Sequence, residues 1–290
     1  MKKMIPLLDT HQHLIYRGKA GYGWTKDIPA LAEGDFTLDD YNKLTRSLGI
    51  GGTLFMEAGV DDADYQAETH FVHHLAKEPD TPILGIIASI RPESDEGFDA
   101  WLEESDTIGV IGYRRILHVV DDKLSQSDTF RHNVRKIGQG GKVFELCFLA
   151  RQLPVALELA KSCDNTRLIL NHCGVPDIAG NALDPWRENI SALAKLPNTV
   201  CKLSGLMAYC APGHASLDAI QPYVSHVLEC FSPNRIVWGS DWPVVNLANG
   251  IEEWVNVTRA ILETLSPEES VAIAYKTAEE VYSVKMGKPA

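Results

Sequence analysis

Short apolar runs alternate with longer amphipathic segments along the whole chain. Ile5 to Leu8 is the first run, Gly52 to Glu57 the second and Ile83 to Ile90 the third. Gly109 to Arg115, Lys142 to Leu146, Arg167 to His172, Thr199 to Ser204 and Arg235 to Asp241 follow. Most are near-continuously apolar and several are rich in β-branched residues, as strands buried on both faces should be. The segments between them repeat apolar residues at helical spacing. Leu38, Tyr41, Leu44 and Leu48 form one stripe, opened by Thr37 as a cap with Asp39 and Asp40 in the first turn. Leu153, Val155, Ala156, Leu159 and Ala160 form a second, and Leu217, Ile220, Val224, Val227 and Leu228 a third. After the last run, Ile251 to Leu265 and Pro267 to Val284 predict two helices that can close a ring. Strands alternating with helices in this number predict an α/β fold, a single (β/α)8 TIM barrel over residues 1–290. An open doubly wound sheet is the competing architecture, and no Gly-x-Gly-x-x-Gly follows the first run to support it.

In such a barrel, chemistry sits where the strands end. The first run leads into Asp9-Thr10-His11-Gln12-His13, the second ends in Glu57, and the fourth in Arg114-Arg115 with His118 just beyond. The fifth carries Glu145 and leads to Cys147, the sixth ends in Asn171-His172, the seventh carries Lys202 and Ser204, and the eighth ends in Ser240-Asp241. A barrel that only packs has no use for so many ionisable groups at one rim, since burying each unpaired costs on the order of several kcal/mol. His11 and His13 stand at i and i+2, which on extended backbone turns both imidazoles to one side, toward the axis. Two converging imidazoles can ligate a divalent metal or donate to one substrate oxygen. Asp241 is the candidate general base, and His172 a group that polarises a carbonyl or fixes a water. Arg114 and Arg115 alternate in direction, so one of them points inward; the sequence leaves both open, with the balance slightly toward Arg115 as the catalytic one. Glu145 is either a substrate contact or the partner of the inward arginine. Glu57, Lys202 and Ser204 read as supports. The one long irregular segment, Ile15 to Asp35, should cover the mouth, with Tyr22 and Trp24 placed to stack on a substrate.

Composition narrows the function classes. The net charge is −12, from 27 Lys+Arg against 39 Asp+Glu. An acidic surface repels phosphate backbones, so nucleic acid is not the expected partner, and anionic membranes are disfavoured too. The apolar stretch after Met1 is too short for a secretory core, and no run is long enough to span a bilayer. Six cysteines without a Cys-x-x-Cys pair read as reduced thiols of a cytoplasmic protein. No activating partner for Cys147 or Cys173 is evident, so both read as packing residues. His70, His73 and His74 read as helix-surface histidines.

Asp9-Thr10-His11-Gln12-His13, Gly112-Tyr113-Arg114-Arg115, Arg151-Gln152-Leu153-Pro154, Leu170 to Pro176 and Gly239-Ser240-Asp241-Trp242-Pro243 together resemble the amidohydrolase superfamily, in its amidohydrolase 2 branch. The resemblance covers essentially the whole chain. It implies a metal-dependent-hydrolase-like barrel and a lactonase acting on a sugar lactone or a pyrone-type lactone. Binuclear members carry a bridging lysine on strand 4, and metal-dependent members a histidine ending strand 5. This chain has arginines in the one place and Glu145 and Cys147 in the other, which argues against two metals. The resemblance therefore implies either no cofactor or one divalent metal, zinc first, held by His11, His13 and Asp241. It implies Asp241, His172 and Arg115 as catalytic groups, with His11, His13, Arg114, Glu145, Trp24 and Tyr22 binding the substrate. Where the branch often has Asp, this chain has Asn171, which alters the charge around His172. The expected partner is a small lactone or organic acid, used in carbohydrate breakdown. Dimers are common in the superfamily, so a homodimer is the implied assembly, although no stretch of sequence marks its interface. Two other readings stay open: a zinc-dependent decarboxylase of an aromatic or enoic acid, and a non-catalytic barrel that senses a small acid.

Overall fold

The computed structural model describes residues 4–287. Eight parallel strands pair in chain order into a nearly closed barrel: β1 (Leu7–Gln12), β2 (Ile50–Met56), β3 (Ile83–Ser89), β4 (Val110–Ile116), β5 (Val143–Cys147), β6 (Arg167–Leu170), β7 (Thr199–Leu203) and β8 (Ile236–Trp238). The ring is joined just beyond β8, where Asp241 N–H donates to the His11 carbonyl and His13 N–H to the Trp242 carbonyl, both at 2.8 Å.

Successive residues of a strand face opposite sides, and the apolar residues divide accordingly. Leu8, Leu54, Met56, Ile87, Val143, Ile169, Val200 and Val237 form one buried cluster inside the barrel. Leu7, Phe55, Ala88, Tyr113, Phe144, Leu146, Leu168, Leu203 and Trp238 belong to the larger cluster between strands and helices. Among the helices of that outer layer are α1 (Leu38–Thr45), α2 (Tyr65–Leu75), α3 (Phe98–Thr107), α4 (Asp128–Gln139), α5 (Leu153–Ser162), α6 (Trp186–Ala194), α7 (Leu217–Phe231) and α8 (Gly250–Glu263). The cap predicted for α1 forms as a reciprocal pair: Thr37 Oγ1 accepts from Asp40 N–H, and the Asp40 carboxylate accepts from Thr37 N–H. Of the stripe predicted there, Leu38 and Tyr41 are buried but Leu44 is exposed, because the helix turns Thr45 inward instead.

The last helical stretch departs from a second ring-closing helix. It runs as α9 (Pro267–Val271), a wide turn over Ala272–Lys276, and α10 (Thr277–Tyr282). Ala278, Tyr282 and Val284 join the inner cluster. The chain end therefore caps the bottom of the barrel, where the strands begin, and leaves the opposite end for the site.

Candidate active site

Strand parity alone would turn His11 away from the axis, since Leu8 faces inward and Asp9 outward. A bulge corrects this. Asp9 pairs with Thr53 and Gln12 with Phe55, so three steps on β1 match two on β2. The extra residue lets Thr10 and His11 both face the interior, and His13 then follows on the same side. Asp9, outside, fastens the bulge: its Oδ1 accepts from His11 N–H at 3.0 Å and from Ser240 N–H at 2.7 Å, and its Oδ2 from Tyr41 O–H at 2.7 Å.

Asp241 follows β8 at φ +60°, a left-handed turn that aims its carboxylate back over the barrel. Asp241 Oδ1 lies 3.6 Å from His11 Nε2 and 3.5 Å from His13 Nε2, and Oδ2 lies 3.8 Å from His172 Nδ1. His172 has φ +51° and is buried, with Nδ1 held 2.9 Å from Ser204 Oγ. The space they share admits no extra atom at Gly205. A Cβ there would meet His172 Nδ1 at 2.6 Å and Asp241 Oδ2 at 3.1 Å, and its φ is +69°. His13 Nδ1 is 2.9 Å from the Met56 carbonyl, which can only accept. Neutral His13 therefore carries its proton on Nδ1 and turns an Nε2 lone pair to Asp241.

The inward arginine is Arg114, not Arg115. Tyr113 faces the helices, and Arg115, two residues on, shares its side, pairing with Glu93 at 2.7 Å. Arg114 is buried: Nε and Nη2 donate to the Glu57 carboxylate and backbone carbonyl, and Nη1 lies 3.2 Å from His11 Nε2. Glu145 also differs from both expectations for it. It touches neither mouth nor arginine but is sealed in the interior, accepting from Lys202 Nζ at 2.9 Å, from Tyr282 O–H at 2.6 Å and from Asn171 Nδ2. Asn171 thus serves Glu145 rather than His172. Tyr22 is a third correction. It is buried with Ile15, Ala58 and Val60, and its hydroxyl accepts from Tyr16 N–H at 3.1 Å, so it props the loop and cannot stack on a ligand. Trp24 remains at the rim, 40% exposed, with Nε1 donating to the Ala58 carbonyl at 2.9 Å. His70, His73 and His74 lie on α2, with His70 paired to Glu104.

The structure adds several supports. Asp9 and Tyr41 fasten the bulge, and the Met56 carbonyl fixes the His13 tautomer. Tyr209, after β7, sets its ring 6.2 Å from that of His172. Only Asp9 had a signal in the sequence, its place inside the first motif.

Burial sets the electrostatics, and charge pairing then decides them. Burial pushes the Asp241 carboxyl up, but His172, His13 and Arg114 outweigh it and hold it below the usual carboxylate range. Burial lowers His172 to about 4 despite Asp241, and takes His11 well below its ordinary value, with Lys202 adding to the effect. The result at neutral pH is an ionised Asp241 facing the neutral imidazoles of His11 and His172, with the Arg114 guanidinium beside them. Such a set suits a divalent cation. His11, His172 and Asp241 each offer a donor atom within 4.8 Å of the others, and the His13 lone pair meets the same carboxylate. Arg114, so near His11 Nε2, opposes a cation electrostatically.

Known proteins share this arrangement of chain. A family model described as amidohydrolase matches residues 8–284. The L-fucono-1,5-lactonase of Burkholderia ambifaria is 39% identical over 242 residues, spanning 83% of this chain and 81% of that protein. The L-fucono-1,5-lactonase of Burkholderia multivorans is 28% identical over 293 residues, 96% of each. A crystal structure of an amidohydrolase from Burkholderia multivorans with bound Zn matches with a TM-score of 0.87 at 26% identity, covering 97% of this chain and all of the other.

Proposed function

Because the chain belongs to the amidohydrolase family, we propose that it opens a small lactone, with Asp241 activating the attacking water. The observation that carries this reading is the convergence of His11, His13 and His172 on one ionised carboxylate at the strand ends, with Arg114 Nη1 against His11. The L-fucono-1,5-lactonase names of the relatives support a sugar 1,5-lactone as the substrate, and with it a role in sugar breakdown. No helix among the described residues is long and apolar enough to cross a membrane.

The residues divide the work. A water between Asp241 Oδ1 and His13 Nε2 meets two acceptors, so both its protons are held and its lone pair faces the substrate. Asp241 takes one proton as the oxygen attacks the lactone carbonyl. Negative charge then grows on the carbonyl oxygen, where Arg114 Nη1 and the free edge of His172 are the available donors. Asp241 returns its proton to the ring oxygen as the C–O bond breaks, which leaves a hydroxy acid and an ionised Asp241. His11 and His13, drawn from sequence as donors to the carbonyl, act here as acceptors. If a divalent cation such as zinc is bound, His11, His13, His172 and Asp241 are the groups to hold it, and it would supply Lewis-acid polarisation of the carbonyl.

A panel of sugar and pyrone-type lactones followed with a pH indicator tests the reading, with CO2 release measured in parallel. Asp241→Asn should lower kcat by roughly 10²–10⁴-fold while the barrel stays folded. Wild-type turnover retained by that variant, or CO2 released in place of lactone opening, overturns it.

A further inference from the structure

The sequence shows no partner for Cys147, but the fold supplies one. β5 turns Val143 and Glu145 inward, and Cys147, two residues further, shares their side at the upper end of the strand. The chain leaving β4 lies against that end, with Leu117 N–H donating to the Cys147 carbonyl at 3.2 Å. The next residue, His118, sets Nδ1 3.2 Å from Cys147 Sγ. His118 is half-buried, and among the described residues its Nε2 has no hydrogen-bond partner and is not a sealed-off atom. Ile116, two residues earlier, lies at the lip. A Cβ at Gly59 would meet Ile116 Cδ1 at 3.0 Å and Trp24 Nε1 at 3.4 Å.

The proton positions follow from the surroundings. Burial pushes the Cys147 thiol up to about 11, so it stays S–H. Burial and then Arg114 lower His118, so its ring is neutral. A thiol beside a neutral imidazole donates to the bare nitrogen, here Nδ1, which leaves the ring proton on Nε2.

We propose that Cys147 and His118 form a thiol–imidazole pair that presents a fixed Nε2–H donor to a substrate oxygen remote from the reacting carbonyl. The oxygen it fits is a hydroxyl of a polyhydroxylated lactone. His118 is the substrate-binding group, and Cys147 positions it. The inference rests on the lactonase reading and adds to it what distinguishes a sugar lactone from a plain one.

Two measurements test it on the intact protein. In ¹⁵N spectra of the imidazoles, wild-type His118 should be the Nε2–H tautomer. Cys147→Ala should give a mixture of tautomers, and Cys147→Ser, which keeps an O–H donor, should restore the single form. An Nδ1–H tautomer in the wild type, or no change in Cys147→Ala, overturns the pairing. The second measurement is discrimination between L-fucono-1,5-lactone and δ-valerolactone, the same six-membered lactone ring without its hydroxyls and methyl. His118→Ala should reduce the ratio of their kcat/KM values about tenfold, the worth of one hydrogen bond, mainly through KM for the sugar lactone. If the wild type leaves δ-valerolactone unopened, its inhibition constant replaces KM in the comparison. A ratio equal to wild type overturns the substrate role. If the wild type opens no lactone at all, the lactonase reading falls and the substrate role with it, while the spectra still decide the pair.

Discussion

Arg114 and Arg115 are adjacent, alike in chemistry and opposite in consequence. Arg114 is clamped by Glu57 through two nitrogens, which leaves Nη1 directed at His11 and the reacting space. A lysine there would keep the charge but lose the fork, so it could not hold Glu57 and reach the substrate together. Arg114→Lys should lower kcat by about 10²-fold, in the range for a lost transition-state donor. Arg115→Ala removes only the partly exposed pair with Glu93, and kcat should stay within about threefold of wild type. Steady-state kinetics of the two variants checks the assignment; equal losses would show that Arg115 matters as much. The sequence contained a clue to this order. Tyr113 is a large apolar residue suited to the helix-facing layer, and strand alternation then carries Arg115 out with it. The two arginines read without Tyr113 are indistinguishable.

At the scale of elements, the strands and most helices were legible because their hydrophobic periods are long and clean. The facing of particular side chains was less so, since one inserted residue reverses a whole strand. The β1 bulge is such an insertion, and nothing in Asp9-Thr10-His11-Gln12-His13 states it. The i, i+2 spacing correctly kept His11 and His13 together; which side they took depended on the bulge. Glu145 was misread for a different reason. Its partners Lys202, Asn171 and Tyr282 come from β7, from the turn after β6 and from the capping helix, a conjunction that only tertiary structure makes. The bulge is itself testable. Asp9→Ala would leave His11 N–H, Ser240 N–H and Tyr41 O–H without their acceptor in a buried place. Each unsatisfied donor costs about 1–3 kcal/mol, less what the site can relax. The variant should lose roughly 5–10 °C in Tm and also lose kcat, although Asp9 faces away from the reacting space. Tyr41→Phe deletes one donor, to Asp9 Oδ2, while Oδ1 keeps both backbone donors, and should cost less. Thermal melts beside lactone assays separate the two, and an Asp9→Ala enzyme with normal kcat would show that the bulge holds without its fastener.

At the scale of the molecule, the distribution of buried acids shapes how stability varies with pH. The acidic surface contributes a diffuse repulsion, but Glu68 of α2 is a concentrated case. It is buried, with Oε1 accepting from Ala58 N–H at 3.1 Å and Oε2 without a partner. Burial raises its carboxyl well above the ordinary range, and nearby Glu57, ionised in its clamp on Arg114, raises it further. The folded protein thus holds a proton on Glu68 at pH values where the unfolded chain has lost it. With more protons bound in the folded state, stability falls as pH rises from the ordinary carboxylate range, about 4.3, through the raised value. Glu68→Gln is neutral at every pH and keeps the carbonyl that receives Ala58 N–H. It should therefore match wild type near pH 4 to 5 and exceed it progressively toward pH 8, with the gap in Tm widening monotonically. Melts across that window check it. A gap that is constant with pH would mean that the substitution acts through packing alone, and a gap of opposite sign would mean that Glu68 is ionised and paired in the native state. The same loop, Ala58-Gly59, carries Trp24 and abuts Ile116 at the mouth. A carboxyl forced to ionise beneath it should loosen that lip, so KM for the lactone should rise with pH in wild type more steeply than in Glu68→Gln.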